Sequence, residues 1–223
     1  MIPEYLRRNL DLFQTGEYTI VSDKDEVILI TEEEKEGLAS LKSRFEDEAV
    51  VFHFPEKRTL PYVDKEKTAC QCADKFIFLK NAGDDKWQLH ILEFKKSIKH
   101  DKWKKIKNQF KYGIMNARAL AAFLNMEIDG IVLETAYRND WNLRNQPHSP
   151  TIMRGLNSST EVKAYKEWQE NIVTLEVDSE EKCFRHDKVL LDSEGKGEKL
   201  FCIVTDERGE AIHGNKKEIA NRH

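Results

Sequence analysis

Long apolar runs are missing from this chain. No stretch approaches the length needed to cross a bilayer, so no membrane partner is expected. Met1-Ile2-Pro3-Glu4-Tyr5-Leu6-Arg7-Arg8 lacks the apolar stretch of a secretory signal, and the cytoplasm is the expected compartment. Cysteine is scarce: four in 223 residues do not make a disulfide framework. Cys70 and Cys72 fall on one face of an expected strand, Cys183 and Cys202 lie far away, and the paired spacing of common structural zinc sites is absent. Internal repeats, heptads and low-complexity segments are also missing. Ser193-Glu194-Gly195-Lys196-Gly197 reads as a turn, because it has neither the G-K-[ST] ending of a phosphate loop nor a helix after it.

Charge and a sufficient core are what the chain does have. It is 34% charged and 39% hydrophobic with a formal net charge of −4, which fits one α/β domain with additions. The informative stretch is Asp74-Lys75-Phe76-Ile77-Phe78-Leu79, a polar turn, and then Leu89-His90-Ile91-Leu92-Glu93-Phe94-Lys95. Strand side chains alternate faces, so Glu93 and Lys95 share a side and Phe94 takes the other. A hairpin turning at Asn81-Ala82-Gly83-Asp84-Asp85 sets Asp74, at the start of the first strand, opposite the end of the second. Two carboxylates and an ammonium then converge at one sheet edge. Mg²⁺ is usually held by one or two carboxylates plus water and substrate phosphate. A lysine beside such carboxylates orients the attacking water or balances charge in the transition state. Glu93 is the telling member, because the strand around it is otherwise mostly apolar.

The order of elements around this pair is equally specific. Thr31 and the acidic run Glu32-Glu33-Glu34 read as the cap and first turn of a helix over about 31–47, with Leu38, Leu41 and Phe45 at helical spacing. Ala49-Val50-Val51-Phe52-His53-Phe54 reads as a strand stopped by Pro55. The two motif strands follow. Asp101 can cap a long helix to about Asn125, with Trp103, Ile106, Phe110, Ile114, Ala117, Leu120, Ala121 and Leu124 on one face. Gly130-Ile131-Val132-Leu133-Glu134-Thr135 is a β-branched strand.

Asp74…Glu93-Phe94-Lys95 within this α-β-β-β-α-β order resembles the PD-(D/E)xK nuclease superfamily over roughly residues 31–135, with Ala73 in place of the family's frequent Pro. The resemblance implies a restriction-endonuclease-like αβββαβ core with a mixed sheet. It also implies a metal-dependent nuclease acting on DNA, with Asp74 and Glu93 as ligands of Mg²⁺ (Mn²⁺ as substitute) and Lys95 positioning the water. Gln109-Phe110-Lys111-Tyr112 resembles a Gln-and-Tyr feature of some members, with the Tyr one residue early; it implies Gln109 at the site and Tyr112 near the substrate. A Glu on the first helix sometimes completes the metal site of such enzymes, which brings in Glu46 or Glu48. His53, on the strand beside the motif, is a weaker candidate. Many relatives act as dimers, so a homodimer is expected.

A basic patch adjoins the motif. Lys95, Lys96, Lys99, Lys102, Lys104, Lys105, Lys107 and Lys111 crowd a segment whose one acid is Asp101. Lysines of this kind give phosphate backbones sequence-independent, salt-sensitive affinity. Lys96, Lys99, Lys104, Lys107 and Lys111, with Tyr112, are the expected nucleic-acid contacts. RNA is not distinguished from DNA by any residue here.

The flanks are plainer. Ile20-Val21-Ser22 and Val27-Ile28-Leu29-Ile30 look like an N-terminal hairpin within an extension of residues 1–30. Residues 136–223 form a linker, over about 136–159, and a C-terminal α/β extension packed on the same domain. It holds a helix at about 160–170 and strands at 172–177, 189–191 and 200–204. Arg138 and Arg144 around Trp141 are candidates for a guanidinium-and-aromatic surface. Two rivals to the nuclease remain: a nucleic-acid-binding or recruitment subunit that keeps the fold without turnover, and a protein-interaction module.

Overall fold

The computed structural model describes residues 2–23, 26–34, 37–55, 71–140 and 160–206. Among them the chain is α/β, with a mixed seven-stranded sheet, a three-stranded sheet and three helices. The elements run α1 (Glu4–Leu10), β1 (Tyr18–Val21), β2 (Val27–Glu34), β3 (Gly37–Phe45), β4 (Ala49–Phe52), β5 (Lys75–Lys80), β6 (Lys86–Ser97), α2 (His100–Leu124), β7 (Glu127–Asn139), α3 (Thr160–Gln169), β8 (Ile172–Val177), β9 (Glu180–Leu190) and β10 (Lys196–Phe201). The large sheet has the order β1-β4-β5-β6-β7-β9-β8 and the small one β10-β3-β2.

The two apolar runs of the motif pair as an antiparallel hairpin, Lys75 opposite Leu92 and Lys80 opposite Trp87. After β6 the chain crosses over through α2 and returns as β7, parallel to β6. A parallel return needs such a crossover, and the helix then covers one sheet face. The α2 stripe Trp103, Ile106, Phe110, Ile114, Ala117, Ala121 and Leu124 is buried there against Phe76, Phe78, Leu89 and Ile91, joined by Leu6 and Leu10 of α1 and Trp168 of α3. Ile77, Leu79, Leu92 and Phe94, on the opposite face, pack on Ile30, Leu41, Phe45 and Phe201 of the small sheet. The molecule is thus three layers deep: helices, large sheet, small sheet. Strands buried on both faces read as unbroken apolar runs, which is why β5 shows no polar alternation.

Two expectations are overturned. The described residues of 31–47 form no helix: β2 and β3 pair antiparallel as far as Glu34 opposite Gly37, whose φ of 135° suits glycine. Leu41 and Phe45 are four apart, a spacing that serves a helix face and a strand face alike. The intervening buried Ala39 and Ser43 complete a period of two, while Leu38 is exposed. The expected hairpin between residues 20–22 and 27–30 does not form either, because β1 pairs with β4 and β2 with β3. The helix preceding the motif strands is α1, and it lies in the segment expected to be a hairpin extension.

Smaller differences follow. α2 starts at His100, one residue before the expected Asp101 cap, and ends at Asn125 in the left-handed conformation. β7 runs on to Asn139, into the expected linker, and β9 begins at Glu180, well before residue 189. β8 and β9 widen the large sheet, whereas β10 runs parallel to β3 in the small one. Residues 71–73 are not in a strand, so Cys72 shares no strand face, and Cys70 lies outside the described residues.

Polar groups stitch the small sheet to the large one. Lys199 of β10 reaches Glu134 at 3.2 Å and Asp187 at 3.3 Å. His90 Nδ1 lies 2.6 Å from the other oxygen of Glu134. The Gln88 side chain bonds Val204 twice, donating to its carbonyl at 2.7 Å and accepting from its N–H at 2.8 Å. Among the described residues no helix is long and apolar enough to cross a membrane.

Candidate active site

The site forms where the start of β5 meets the end of β6 beneath α2. Asp74 precedes β5, and its Oδ2 accepts the Phe94 backbone N–H at 2.7 Å. This bond fixes the aspartate across the hairpin from Glu93. Glu93 is fully buried, on the face of β6 that looks toward α2. Lys95, two residues on, returns its ammonium to Glu93 Oε1 and to the Phe94 carbonyl, the latter at 3.0 Å. Gln109 of α2 donates from Nε2 to the same Oε1 at 2.6 Å. The four residues singled out as catalytic in the sequence therefore meet at one point.

A close approach of helix to sheet makes this possible. A Cβ on Gly113 would lie 3.3 Å from Ile91 Cγ2 and 3.4 Å from Ala73 Cβ, so glycine lets α2 settle onto β6 and the residue preceding Asp74. Gln109, one turn earlier on α2, is thereby lowered onto Glu93.

The electrostatics follow from burial. Desolvation, reinforced by the Asp74 charge and opposed by Lys95, raises the Glu93 carboxyl to about 8. Desolvation likewise raises Asp74 to about 6, with Lys95 opposing it and Glu32 adding to it. Two like charges in one dry site cannot both ionise freely, so the pair shares a proton near neutrality. The donors already on Glu93 crowd Oε1. The Asp74 backbone also acts on the Glu93 carboxylate, while Glu93 Oε2 and Gln109 Oε1 are buried with no hydrogen-bond partner of good geometry among the described residues.

Those bare oxygens are the test of a metal. Buried acceptors without donors need a proton or a cation, and hard oxygens with carboxylate charge suit Mg²⁺ or Mn²⁺. Among the described residues no group of three His, Cys, Asp or Glu side chains gathers as a ready-made cage. Two carboxylates with the remaining positions left to water and phosphate is the donor set that Mg²⁺ accepts.

Glu32 of β2 was hidden by the helix reading of its segment. It pairs with Lys75 at 2.5 Å, and its charge is felt at Asp74. Lys75 is fully buried, on the strand face opposite Asp74, with the Phe54 ring 5.5 Å from its ammonium. The small sheet thus brings a third carboxylate to the rim of the site. Period-two alternation through Ile28, Ile30 and Glu32 was the signal that pointed to it.

Other candidates separate. Glu46 and Glu48 lie beside Phe201 and Lys80 in the backbone pairing, at the far end of β5 from Asp74, and not on a helix. His53 is near the site but is engaged by Thr19 Oγ1 at 2.7 Å; burial, and then Lys75, lowers its pKa. Tyr112 is half-buried, and among the described residues no side-chain hydrogen bond joins it to the carboxylates. Of the lysines, Lys96, Lys99 and Lys104 are exposed. Lys107 is tied to Glu167 at 2.7 Å and Lys111 to Glu176 at 3.7 Å. The Arg138 guanidinium rests against Gly195, and Trp141 and Arg144 lie outside the described residues.

No protein-family model, curated protein or solved structure matches the chain.

Proposed function

We propose that the protein is a metal-dependent nuclease of the PD-(D/E)xK type that hydrolyses phosphodiester bonds in DNA. The observation carrying the reading is the convergence of Asp74, Glu93, Lys95 and Gln109 around two buried oxygens that lack donors. The order of hairpin β5–β6, crossover α2 and parallel β7, with α1 ahead of them, supports this reading because it is the order expected of a restriction-endonuclease-like core.

In this reading Asp74 and Glu93 hold Mg²⁺ or Mn²⁺. Such an ion, when bound, would supply Lewis-acid chemistry to the scissile phosphate and a lowered pKa to its water. Gln109 keeps the Glu93 carboxylate turned toward the site through its 2.6 Å bond to Oε1. Lys95 donates at the place where water and the phosphate oxygens carry new charge, which lowers the barrier most when the donor is already in position. Its present partners, Glu93 and the Phe94 carbonyl, are both acceptors at the same spot. Lys96, Lys99 and Lys104 steer and hold the phosphate backbone from the rim. A homodimer would present two such sites to the two strands of a duplex.

The test is cleavage of linear, circular and branched DNA, and of RNA, with Mg²⁺ or Mn²⁺. Metal-dependent cutting by the wild type, absent in Glu93→Ala, is the expected result and reveals the preferred substrate. Salt-sensitive binding with no cutting of any substrate overturns the enzyme and leaves a nucleic-acid-binding subunit. Absence of binding at low salt removes both.

A further inference from the structure

The large sheet carries a buried polar pair beside the site that the scheme above leaves unused. Thr135 of β7 is the register partner of Glu93 on the adjacent parallel strand, so both side chains project from the same sheet face toward α2. Thr135 is fully buried, and its Oγ1 lies 2.8 Å from Nε2 of His186 on β9, also fully buried. The imidazole is boxed in by the rings of Trp103, Phe110 and Trp168, with centroids 5.7, 5.8 and 5.4 Å away. Trp103 and Phe110 belong to α2, the helix that carries Gln109. Among the described residues, two buried atoms on this face of the sheet lack hydrogen-bond partners: His186 Nδ1 and Glu93 Oε2.

These observations decide where the protons sit. Burial, with Lys188 adding to it, lowers His186 to about 3, so the ring is neutral and carries a single N–H. Placing that hydrogen on Nδ1 would bury a donor without an acceptor, the costlier of the two ways to leave an atom unpaired. With the hydrogen on Nε2, the imidazole donates to Thr135 Oγ1. The threonine's own O–H is then released to point elsewhere, and a hydroxyl both accepts and donates.

We propose that Thr135 is a positioning residue for Glu93, oriented by His186: Nε2–H of the imidazole donates to Thr135 Oγ1, and the Thr135 O–H turns to the oxygen of Glu93 that has no donor. A carboxylate oxygen has a second lone pair, so accepting the Thr135 O–H would still leave Glu93 able to face a cation. It holds the carboxylate from the sheet side as Gln109 holds it from the helix side. Partners of this kind fix the direction of a ligand, and their loss typically costs about 10–100-fold in metal affinity. The inference rests on the metal-site reading of Glu93, but the imidazole tautomer does not.

Mn²⁺ binding to the full chain, followed by electron paramagnetic resonance, tests the threonine; ¹⁵N NMR of the histidine ring tests the tautomer. Thr135→Val should weaken Mn²⁺ binding by about 10–100-fold while Thr135→Ser, which keeps the hydroxyl, stays close to wild type. His186 should show a protonated Nε2 and a bare Nδ1. Equal Mn²⁺ affinity in wild type and a folded Thr135→Val overturns the positioning role. If the valine variant fails to fold, a serine variant that also loses affinity overturns it. A hydrogen on Nδ1 overturns it in any background. Wild-type protein that binds no Mn²⁺ removes the metal reading and with it the role of Thr135, while the NMR result still reports how the pair is protonated.

Discussion

Gln109 Nε2 and Glu93 Oε1 are joined at 2.6 Å across the boundary between helix and sheet. The bond uses one oxygen of the carboxylate and leaves the other bare, so the helix aims Glu93 without neutralising it. Replacing Gln109 by Leu removes the donor and keeps the bulk. Metal affinity should fall by about 10–100-fold, with the melting temperature little changed. Titration calorimetry with Mn²⁺ checks this; an unchanged affinity would refute the orienting role.

The raised carboxyls set a pH dependence in the metal-free protein. The folded state holds its protons more tightly than the unfolded chain. The contribution of these two groups to stability is therefore greatest below the ordinary carboxylate range, declines as pH rises through it, and levels off above about 8, against an opposite contribution from the lowered His186. Glu93→Gln removes most of the decline. Urea unfolding should find the variant more stable than wild type at pH 8.5, by on the order of a few kcal/mol, and close to it at pH 4. A stability difference between Glu93→Gln and wild type that is the same at pH 4 and pH 8.5 would contradict the shared proton.

Lys95 should matter to turnover far more than to folding. Its ammonium is partly exposed and its bonds run to neighbours in its own strand. Lys95→Ala is expected to lower the cleavage rate by at least about 10²-fold with a much smaller effect on the unfolding midpoint, because the raised Glu93 carboxyl can keep its proton when the ammonium is gone. Single-turnover kinetics beside a denaturant curve measure the two effects separately, and full activity would sink the mechanism.

Lysines that look equivalent along α2 should divide into two kinds. Lys104 is exposed, so Lys104→Ala should reduce the salt slope of DNA binding by about 1 and leave stability alone. Lys107 shares Glu167 with the Trp103 indole and the Thr174 backbone N–H. Lys107→Ala should cost about 1–2 kcal/mol of stability and change the salt slope less. Binding isotherms at several salt concentrations distinguish them.

The stitch between the sheets invites a further substitution. Lys199→Met strips the ammonium from Glu134, which is fully buried, and from Asp187. Breaking a buried pair from one side leaves an uncompensated charge, so a loss of roughly 3 kcal/mol is expected in chemical denaturation. A loss below about 0.5 kcal/mol would show the pair to be effectively solvated.

What the sequence disclosed and what it hid have physical explanations. Local signals were sufficient for the motif hairpin, for α2 and for the meeting of Asp74, Glu93 and Lys95, since alternation places each of them on a face, whereas Gln109 was pointed to by the resemblance. They failed for β2 and β3, where the acidic run at Glu32 imitates a helix start and a spacing of four at Leu41 and Phe45 suits both periods. They also missed most of β9, because Glu180, Glu181, Lys182, Arg185 and Lys188 mask a strand whose buried members are only Cys183, Phe184 and His186. Lys107 and Lys111 were assigned to phosphate because the acids that hold them, Glu167 and Glu176, lie far along the chain.

The parallel pairing of β10 with β3 joins segments separated by roughly 150 residues, and contacts of such long range are slow to form. The motif hairpin and α2 are local by comparison and can assemble early. The β2–β3 hairpin that bears Glu32 is local as well, so the third carboxylate and the counter-ion of Lys75 need not wait for β10. The strand that arrives last closes the opposite edge of the small sheet, and what it brings is Lys199 for the buried Glu134.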